Sequence, residues 1–229
     1  SLLATEGGHH AAWLQEHHPD IIPLYHPGAA LDGPLPDLEE AWTAAVPDEL
    51  HYNTWIADRA IDVIERTDGP FMLFVSTPDP HHPFSPPRPW ADLFEASAMP
   101  SPGVVPGERD AMPDWMISPM ALDRIDNAAP AVEQGGMMTT DTISTESMAR
   151  AIAFTRGMET QIDHQFGRVL AALEARDLLD ETILLFTSDH GEFLGQHGLL
   201  HKGPPPYGDL NRVAFVMAGP FVPAGESTL

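Results

Sequence analysis

The 229-residue chain contains no cysteine and only one lysine, Lys202, and these shortages exclude several kinds of protein. Without cysteine there are no disulfide bonds and no cysteine-ligated zinc site. Basic residues of any kind are few, because 34 acidic residues face 11 basic ones and leave a formal net charge of −23. A surface of that charge repels nucleic acids and anionic membranes. We therefore expect neither a nucleic-acid partner nor a membrane partner.

Targeting signals are also missing from the sequence. It has no recognisable signal peptide and no apolar stretch long enough to span a bilayer. Because the N-terminus is expected to be missing, localisation stays open between cytoplasm and periplasm. The chain starts at Ser1 and stops just after a strand-like run, so we expect a fragment that lacks both ends. With 43% hydrophobic residues, it is long enough to build one sizeable core or part of a larger one.

The most informative stretch begins with an apolar run over Ile183–Phe186. Such a run predicts a parallel strand that is buried on both faces. Asp189 and His190 follow at its C-terminal end, which is where ligands bind in open α/β sheets. A carboxylate beside an imidazole suits a divalent cation. The alternative is that Asp189 merely caps a strand-to-helix turn.

The only lysine lies close behind this pair. Lys202 stands just ahead of three consecutive prolines, at positions 204–206. Its ammonium group is suited to act as a point charge for an anionic group near Asp189 and His190. His197 and His201 lie in the same stretch. Each of them either joins an anion pocket or stabilises a turn, and the sequence leaves both alternatives open.

A second motif follows another apolar run. Phe71–Ser76 predicts a buried strand, and the proline-rich segment Thr77–Pro87 comes directly after it. Prolines restrict the backbone, so this loop is expected to be stiff and to hold His81 and His82 in a defined direction. Such rigidity suits a catalytic or substrate-binding histidine. The alternative is a pair of histidines in a rigid surface loop.

Helical patterns separate the apolar runs. We predict one helix from a cap at Asn53 through Thr67 and another within Asp141–Arg176. A third apolar run over Val213–Met217 predicts a further strand. Helices that alternate with strands are typical of the α/β class. The irregular stretch over about 86–140 is predicted to be an insertion that shapes the rim of a pocket.

Two segments together resemble a known family. SDHGEFLGQHGLLHKGPPPY resembles the metal-and-lysine segment of the sulfatases, in the alkaline-phosphatase superfamily, which includes related phosphonate monoester and phosphodiester hydrolases. PFMLFVSTPDPHHPFSPP is similar to the strand and P-H-x-P loop of the same family. The resemblance implies an alkaline-phosphatase-like three-layer sandwich with a mainly parallel central sheet, incomplete in this chain. All 229 residues are then expected to form part of one catalytic domain.

The resemblance also implies an activity. It implies a metal-dependent hydrolase of sulfate esters, of the arylsulfatase type, acting on a small anionic ester. Asp189 and His190 are then the metal ligands, and His81 and Lys202 are the catalytic residues. Sulfatases make a formylglycine nucleophile from a Cys or Ser in a C/S-x-P-x-R motif. This chain lacks that motif, so we expect the nucleophile and the remaining ligands to lie outside it.

The identity of the metal and the substrate is less defined. The resemblance favours Ca²⁺, with Mn²⁺ or another transition metal as the alternative, which would fit the phosphonate hydrolase branch. His190 stands where many calcium sulfatases have Asn, and calcium prefers oxygen ligands. Three functions therefore remain open: a sulfatase, a phosphonate monoester or phosphodiester hydrolase on the same scaffold, and a non-catalytic remnant if the chain is complete.

Overall fold

A computed structural model describes residues 8–112, 138–203, 206–223 and 225. The chain folds into two compact units, each made of two stretches of sequence. The first unit consists of Ser1–Met99 and Ala149–Thr182, and the second of Pro100–Met148 and Ile183–Leu229.

The first unit is mainly helical. Its helices are α1 (His9–His17), α2 (Tyr52–Arg66) and most of α3 (Thr145–Ala175), whose first four residues belong to the second unit. Both long helices were predicted from their apolar spacing, and both are confirmed. Short 3₁₀ helices connect these elements: Ile22–Tyr25, Pro27–Ala29, Asp48–Leu50, Trp90–Asp92, Ala96–Ala98 and Leu179–Glu181.

The start of α2 differs from the prediction. His51 is the N-cap, and its Nδ1 accepts from the backbone N–H of Asn53 at 3.4 Å. The prediction that Asn53 caps the helix is wrong, because the side chain of Asn53 is fully buried and donates to Asp79 and Gln161 instead. A buried amide needs such partners, and this need outweighs its preference for a capping position.

Polar contacts join α2 to α3 within the first unit. Arg168 forms an ion pair with Asp58, with 2.7 Å between Nη2 and Oδ1. Arg176 donates to the carbonyls of Ile64 and Thr67 at the end of α2. A guanidinium group there satisfies carbonyls that have no partner inside the helix, and it also complements the negative end of the helix dipole.

Apolar packing fills the space between these helices. The buried side chains of one cluster come from α1, α2 and the segments between them: Leu14, Ile21, Tyr25, Val46 and Tyr52. Helix α2 also buries Ala57, Ala60 and Ile64, whereas Val63 is exposed. The α3 helix buries Ala151, Phe154, Met158 and Leu173.

Among the residues that the structure describes, the second unit contains four short strands. Strands β1 (Met138–Thr139) and β3 (Leu199–Leu200) form one antiparallel pair. Strands β2 (Leu184–Thr187) and β4 (Phe215–Ala218) form another, in which Leu184 lies opposite Ala218 and Thr187 opposite Phe215. Helix α4 (Gly208–Asn211) and the 3₁₀ helices Arg109–Ala111 and Gln196–Gly198 complete the described elements of this unit.

Strand β2 confirms the predicted strand but not its surroundings. It pairs antiparallel with β4 rather than parallel, and both strands are exposed: Leu185 keeps 55% and Phe215 63% of its accessible surface. The prediction of a buried parallel strand is therefore wrong for this pair. A hydrophobic run specifies that a strand needs cover on its faces, but not which elements supply that cover.

The segment Phe71–Ser76 also differs from its prediction as a buried strand. It has no regular secondary structure, and Met72 and Phe74 are 94% and 84% exposed. Phe71 and Leu73 are half-buried, so the side chains alternate as they do in an extended chain. The expected strand is not assigned because, in the residues the structure describes, no neighbouring strand hydrogen-bonds to it.

The expected insertion over 86–140 is only partly described, since 113–137 lie outside the described residues. Its described beginning is irregular with short 3₁₀ turns, as predicted, whereas its role at a pocket rim stays a prediction. Within the described ranges, no helix is long and apolar enough to cross a membrane.

Two glycines in α3 give opposite expectations for the same substitution. A Cβ at Gly157 would meet the carbonyl oxygen of Trp90 at 2.4 Å, whereas a Cβ at Gly167 would meet nothing within 4 Å. Gly167→Ala should raise the free energy of unfolding by about 0.5–1 kcal/mol, because alanine loses less backbone entropy. Gly157→Ala should lower it by about 1–3 kcal/mol through overpacking. Urea unfolding followed by circular dichroism measures both, and equal effects would contradict the packing at Trp90.

Candidate active site

Asp189 and His190 lie directly beyond strand β2, as the sequence predicted. The segment is fixed by its own hydrogen bonds: the His190 backbone N–H donates to Asp189 Oδ1 at 2.9 Å, and the Ser188 hydroxyl donates to the His190 carbonyl at 2.7 Å. Both ionisable side chains are exposed, with 86% of the Asp189 side chain accessible. They are therefore reachable from solvent at the end of a strand.

The imidazole of His190 is oriented toward the carboxylate. Its Nδ1 donates to the Gly191 carbonyl at 2.7 Å, so the lone pair of the neutral ring resides on Nε2. This Nε2 lies 3.6 Å from Asp189 Oδ2. Metal-binding histidines commonly donate the other ring N–H to a carbonyl in this way. A single ion with bonds of about 2.1 Å can reach both atoms, so the pair fits a divalent metal.

The carboxyl group of Asp189 is held in its ionised form. Slight burial acts to raise its pKa, but the hydrogen bond from the His190 N–H, the positive charge of the His190 ring in its protonated form and the Ser188 hydroxyl act together in the opposite direction. The net effect lowers the pKa of Asp189. An ionised carboxylate is what a hard cation requires as a ligand.

Gly191 explains why the segment turns where it does. Its N–H donates to the Leu210 carbonyl at 2.9 Å, and a Cβ at this position would lie 1.8 Å from the Asp209 carbonyl oxygen. No other residue allows two backbones to approach so closely. The glycine therefore fixes the distance between the Asp189–Gly191 turn and helix α4.

The loop between His190 and Lys202 packs around a small apolar core with residues that follow it. Phe193 and Leu199 are fully buried, Leu210 is nearly so, and Tyr207 packs against them. Backbone bonds cross the loop, from the Phe193 N–H to the His201 carbonyl at 3.0 Å and from the Gly195 N–H to the Leu199 carbonyl at 2.8 Å. The loop is thus an ordered hairpin rather than a loose connection.

His197 stabilises this hairpin. Its Nδ1 lies 2.9 Å from Glu108 Oε1, its Nε2 lies 3.1 Å from Asp209 Oδ2, and its ring stacks on Tyr207 at 3.8 Å between centroids. A ring enclosed by two carboxylates and an aromatic face links three segments. Of the two alternatives for His197, this geometry favours the structural one. His201 is buried, with 1% of its surface exposed.

Lys202 lies near an acidic residue that the sequence analysis missed. Burial raises the pKa of Glu192, while the nearby positive charges of His201 and Lys202 and hydrogen bonds from backbone N–H groups oppose that rise. Lys202 itself is half-buried. A signal was available, because Glu192 directly follows the Asp189–Gly191 turn. Its electrostatic partners, however, come from the far end of the hairpin.

His81, the remaining predicted site residue, belongs to the first unit. It is exposed, and its Nδ1 donates to the His82 carbonyl at 2.6 Å. Its backbone N–H donates to the Pro78 carbonyl at 3.1 Å, which closes a turn. The structure thus brings Asp189 and His190 together and places Lys202 in their unit, while His81 stands in an ordered turn of the other.

A buried acid that was not predicted lies at the start of the histidine loop, the proline-rich segment Thr77–Pro87 that carries His81 and His82. Asp79 is 6% exposed, and it accepts hydrogen bonds from the Tyr52 hydroxyl and from Asn53 Nδ2, the latter at 2.7 Å. Burial raises the pKa of Asp79 to about 7, although the hydrogen bonds from Tyr52 and Asn53 oppose the rise. An acid between two prolines directly after an apolar run was the available signal.

Comparison with known proteins places the chain in a family. The family model described as Sulfatase matches residues 16–227. The chain belongs to the sulfatase family. It is 33% identical over 177 residues to an arylsulfatase of Clostridium perfringens. The matched region covers 76% of this chain and 33% of that protein. It is also 33% identical over 161 residues to the multifunctional alkaline phosphatase superfamily protein PehA of Trinickia caryophylli, covering 69% of this chain and 30% of that protein.

Solved structures agree on the fold. The phosphonate monoester hydrolase of Agrobacterium radiobacter superposes with a TM-score of 0.69 at 24% identity, over 92% of this chain and 41% of that one. The phosphonate monoester hydrolase SpPMH of Silicibacter pomeroyi gives 0.63 at 17% identity, over 94% and 42%. The expected α/β, alkaline-phosphatase-like fold is confirmed, as a partial sheet with helices.

The sulfatase chain spans about a third of the length of the two curated relatives above. Members of the sulfatase family generally bind a divalent metal. The donor atoms of Asp189 and His190 fit such an ion, and the roles of Asp189, His190, His81 and Lys202 remain predictions.

The buried acid gives the stability of the protein a defined pH dependence. An unfolded Asp has a pKa of about 3.9, whereas folded Asp79 has one of about 7. The folded state therefore holds this proton more tightly. Protonation of Asp79 therefore contributes to the free energy of unfolding. This contribution is complete below about pH 4 and is lost as the pH rises through about 7, with a size on the order of a few kcal/mol. Asp79→Asn should remove this dependence.

Urea unfolding between pH 4 and 8 tests this expectation. The wild type and Asp79→Asn must be compared, because burial also lowers the pKa of His51 to about 3 and produces a slope of opposite sign. That slope is common to both proteins and cancels in their difference. The stability of the wild type relative to the variant should fall as pH rises. Parallel profiles would show that Asp79 keeps an ordinary pKa.

Proposed function

We propose that the protein is a metal-dependent hydrolase of sulfate esters, of the arylsulfatase type. The observation that carries the proposal is the Asp189–His190 pair, whose Oδ2 and Nε2 lie 3.6 Å apart at the end of a strand, in a chain of the sulfatase family. The arylsulfatase of Clostridium perfringens, 33% identical, supports the substrate class. The substrate would be a small anionic ester.

Hydrolysis of such an ester has three requirements. It needs a nucleophile in line with the leaving oxygen, positive charge near the equatorial oxygens, and a proton for the departing alkoxide. When bound, a divalent metal supplies Lewis acidity and positive charge. Asp189 and His190 would hold it through oxygen and nitrogen.

Two further residues of the chain would serve the other needs. Lys202 is the only lysine in the sequence, and its ammonium group would offset the negative charge on the sulfate oxygens. His81 donates through Nδ1 to a backbone carbonyl, so Nε2 is the ring nitrogen that would face the leaving group. As an imidazolium the ring would give a proton through Nε2 to the departing alkoxide and be left neutral. The formylglycine nucleophile would come from outside these 229 residues, because they contain no C/S-x-P-x-R motif.

A second candidate is a phosphonate monoester or phosphodiester hydrolase on the same scaffold. The imidazole of His190 supports it, since nitrogen ligands favour transition metals such as Mn²⁺ over Ca²⁺. The likeness to PehA and to two phosphonate monoester hydrolases also supports it. Ca²⁺ remains the metal favoured for the sulfatase alternative.

Side-by-side kinetics and elemental analysis separate the two candidates. The protein encoded by the gene is purified, its metal is identified, and its turnover of 4-nitrophenyl sulfate is compared with that of a bis-aryl phosphate. Calcium with faster sulfate turnover is the expected result. A transition metal with faster phosphodiester cleavage would move the protein to the second candidate, and turnover of neither substrate would favour a non-catalytic remnant. Asp189→Ala should lower the metal content, whereas Asp163→Ala, on the exposed side of α3, should not.

The lysine makes a separate prediction. Lys202→Ala should lower kcat for the preferred substrate by about 10² or more, because a preorganised charge near the transferred group contributes a few kcal/mol to transition-state stabilisation. Metal content and the unfolding curve should stay unchanged. Arg66→Ala is the matched control, since that side chain is 78% exposed and pairs only with Asp62 among the ion pairs described. An unchanged kcat in Lys202→Ala would exclude the proposed role.

A further inference from the structure

We propose that Asp79 is a positioning residue that fixes the direction of the His81 imidazole through the base of its loop. The inference rests on the proposed function, in which His81 acts on the leaving group. Asp79 itself is buried and stands two residues before His81. It would act on the reaction only through the loop that it holds.

The start of the loop is held by a buried polar network. Asp79 accepts from the Tyr52 hydroxyl and from Asn53 Nδ2, both in the first turn of α2. A carboxylate there also meets the positive end of the helix dipole. Tyr52 and Asn53 are 8% and 0% exposed, so water does not compete for these bonds.

The network extends to a second helix. Asn53 Nδ2 also donates to Gln161 Oε1 at 3.0 Å, and Gln161 Nε2 donates to Asp48 Oδ1 at 2.7 Å. Gln161 lies in α3 and is completely buried. Two helices and the 3₁₀ turn before α2 therefore share one set of bonds with Asp79. A displacement of Asp79 would break bonds in several elements at once, which makes the base of the loop rigid.

The far end of the loop is held independently. The Phe84 N–H donates to the Glu40 carbonyl at 2.7 Å, and the Trp42 N–H donates to the Phe84 carbonyl at 3.1 Å. Phe84 is completely buried. The four residues between Asp79 and Phe84 thus run between two fixed ends, and His81 is the exposed one of the two histidines among them.

Stability alone does not explain a carboxylate at this position. Burial of an ionisable group is unfavourable, and apolar replacements of buried charges are often neutral or stabilising. The raised pKa of Asp79 is the sign of that burial. The carboxylate instead fixes the orientation of the loop backbone at Asp79, because two donors from one helix turn bind both of its oxygens. A rigid base is what a general acid requires, since a misplacement of about 1 Å can cost 10²-fold in rate.

A double-mutant cycle on the protein encoded by the gene tests the proposal. Asp79→Ala should lower kcat for the preferred ester about 10-fold to 100-fold, with KM and metal content little changed. In a His81→Ala background, the same substitution should have no further effect on kcat, because a residue that acts only through His81 has nothing left to position. Asp79→Asn should recover most of the rate, since an amide can keep a bond to Tyr52 and one to Asn53.

A milder variant covers the case in which Asp79→Ala does not fold. Tyr52→Phe removes one donor to the carboxylate and keeps the ring, and it should give a smaller loss of kcat that also disappears in the His81→Ala background. An equal loss in both backgrounds, or a wild-type kcat in Asp79→Ala and Tyr52→Phe, would overturn the proposal.

Failure of the proposed function is recognised separately. If the wild type turns over neither the aryl sulfate nor the bis-aryl phosphate, the proposed function fails, and the positioning is then read by NMR. The ring Cε1–H resonance of His81, assigned by its loss in His81→Ala, should move in Tyr52→Phe, while that of exposed His9 should not. A His81 resonance that stays in place would refute the positioning itself.

Discussion

The first unit depends most on the two hydrogen bonds that the side-chain amide of Asn53 donates. Its nitrogen donates to both Asp79 and Gln161, so one fully buried group joins α2, α3 and the histidine loop. A buried amide that lost these partners would cost about 1–3 kcal/mol per unsatisfied group. The apolar clusters hold the helices together, but the polar network determines their register, because hydrogen bonds are directional and hydrophobic contacts are not.

In the second unit, backbone contacts and one histidine ring, rather than a buried amide, order the candidate site. Around Asp189 and His190 the local order comes from backbone proximity, which Gly191 permits, and from the His197 ring between two carboxylates. Donors and acceptors of the backbone satisfy one another across the hairpin, so the exposed Asp189–His190 pair is next to an ordered segment. In each unit an ordered segment thus supports the exposed side chains for which a role is proposed.

The sequence predicted the elements better than their environment. Apolar spacing located α2 and α3, and the DHG pattern located the carboxylate and imidazole at a strand end. The exposure of β2 could not be predicted, because a hydrophobic run carries no information on what covers it. The cap of α2 was assigned to Asn53 rather than His51, since capping preferences are local and the partners of Asn53 lie 26 and 108 residues away. Asp79 and Glu192 were missed for the same reason, because their environment is formed only by the fold.

The open ribbon of β2 and β4 has a consequence for how the chain behaves in solution. Apolar side chains stand on its faces, among them Leu185, Val216 and Met217. A two-stranded pair has an unpaired edge on each side, to which another extended segment can add, and proteins normally protect such edges with charge, proline or a covering element. Charge is absent from the two strands themselves, so the many acidic residues elsewhere act only by general repulsion. Solubility of this part of the protein therefore depends on whatever pairs with or covers that ribbon.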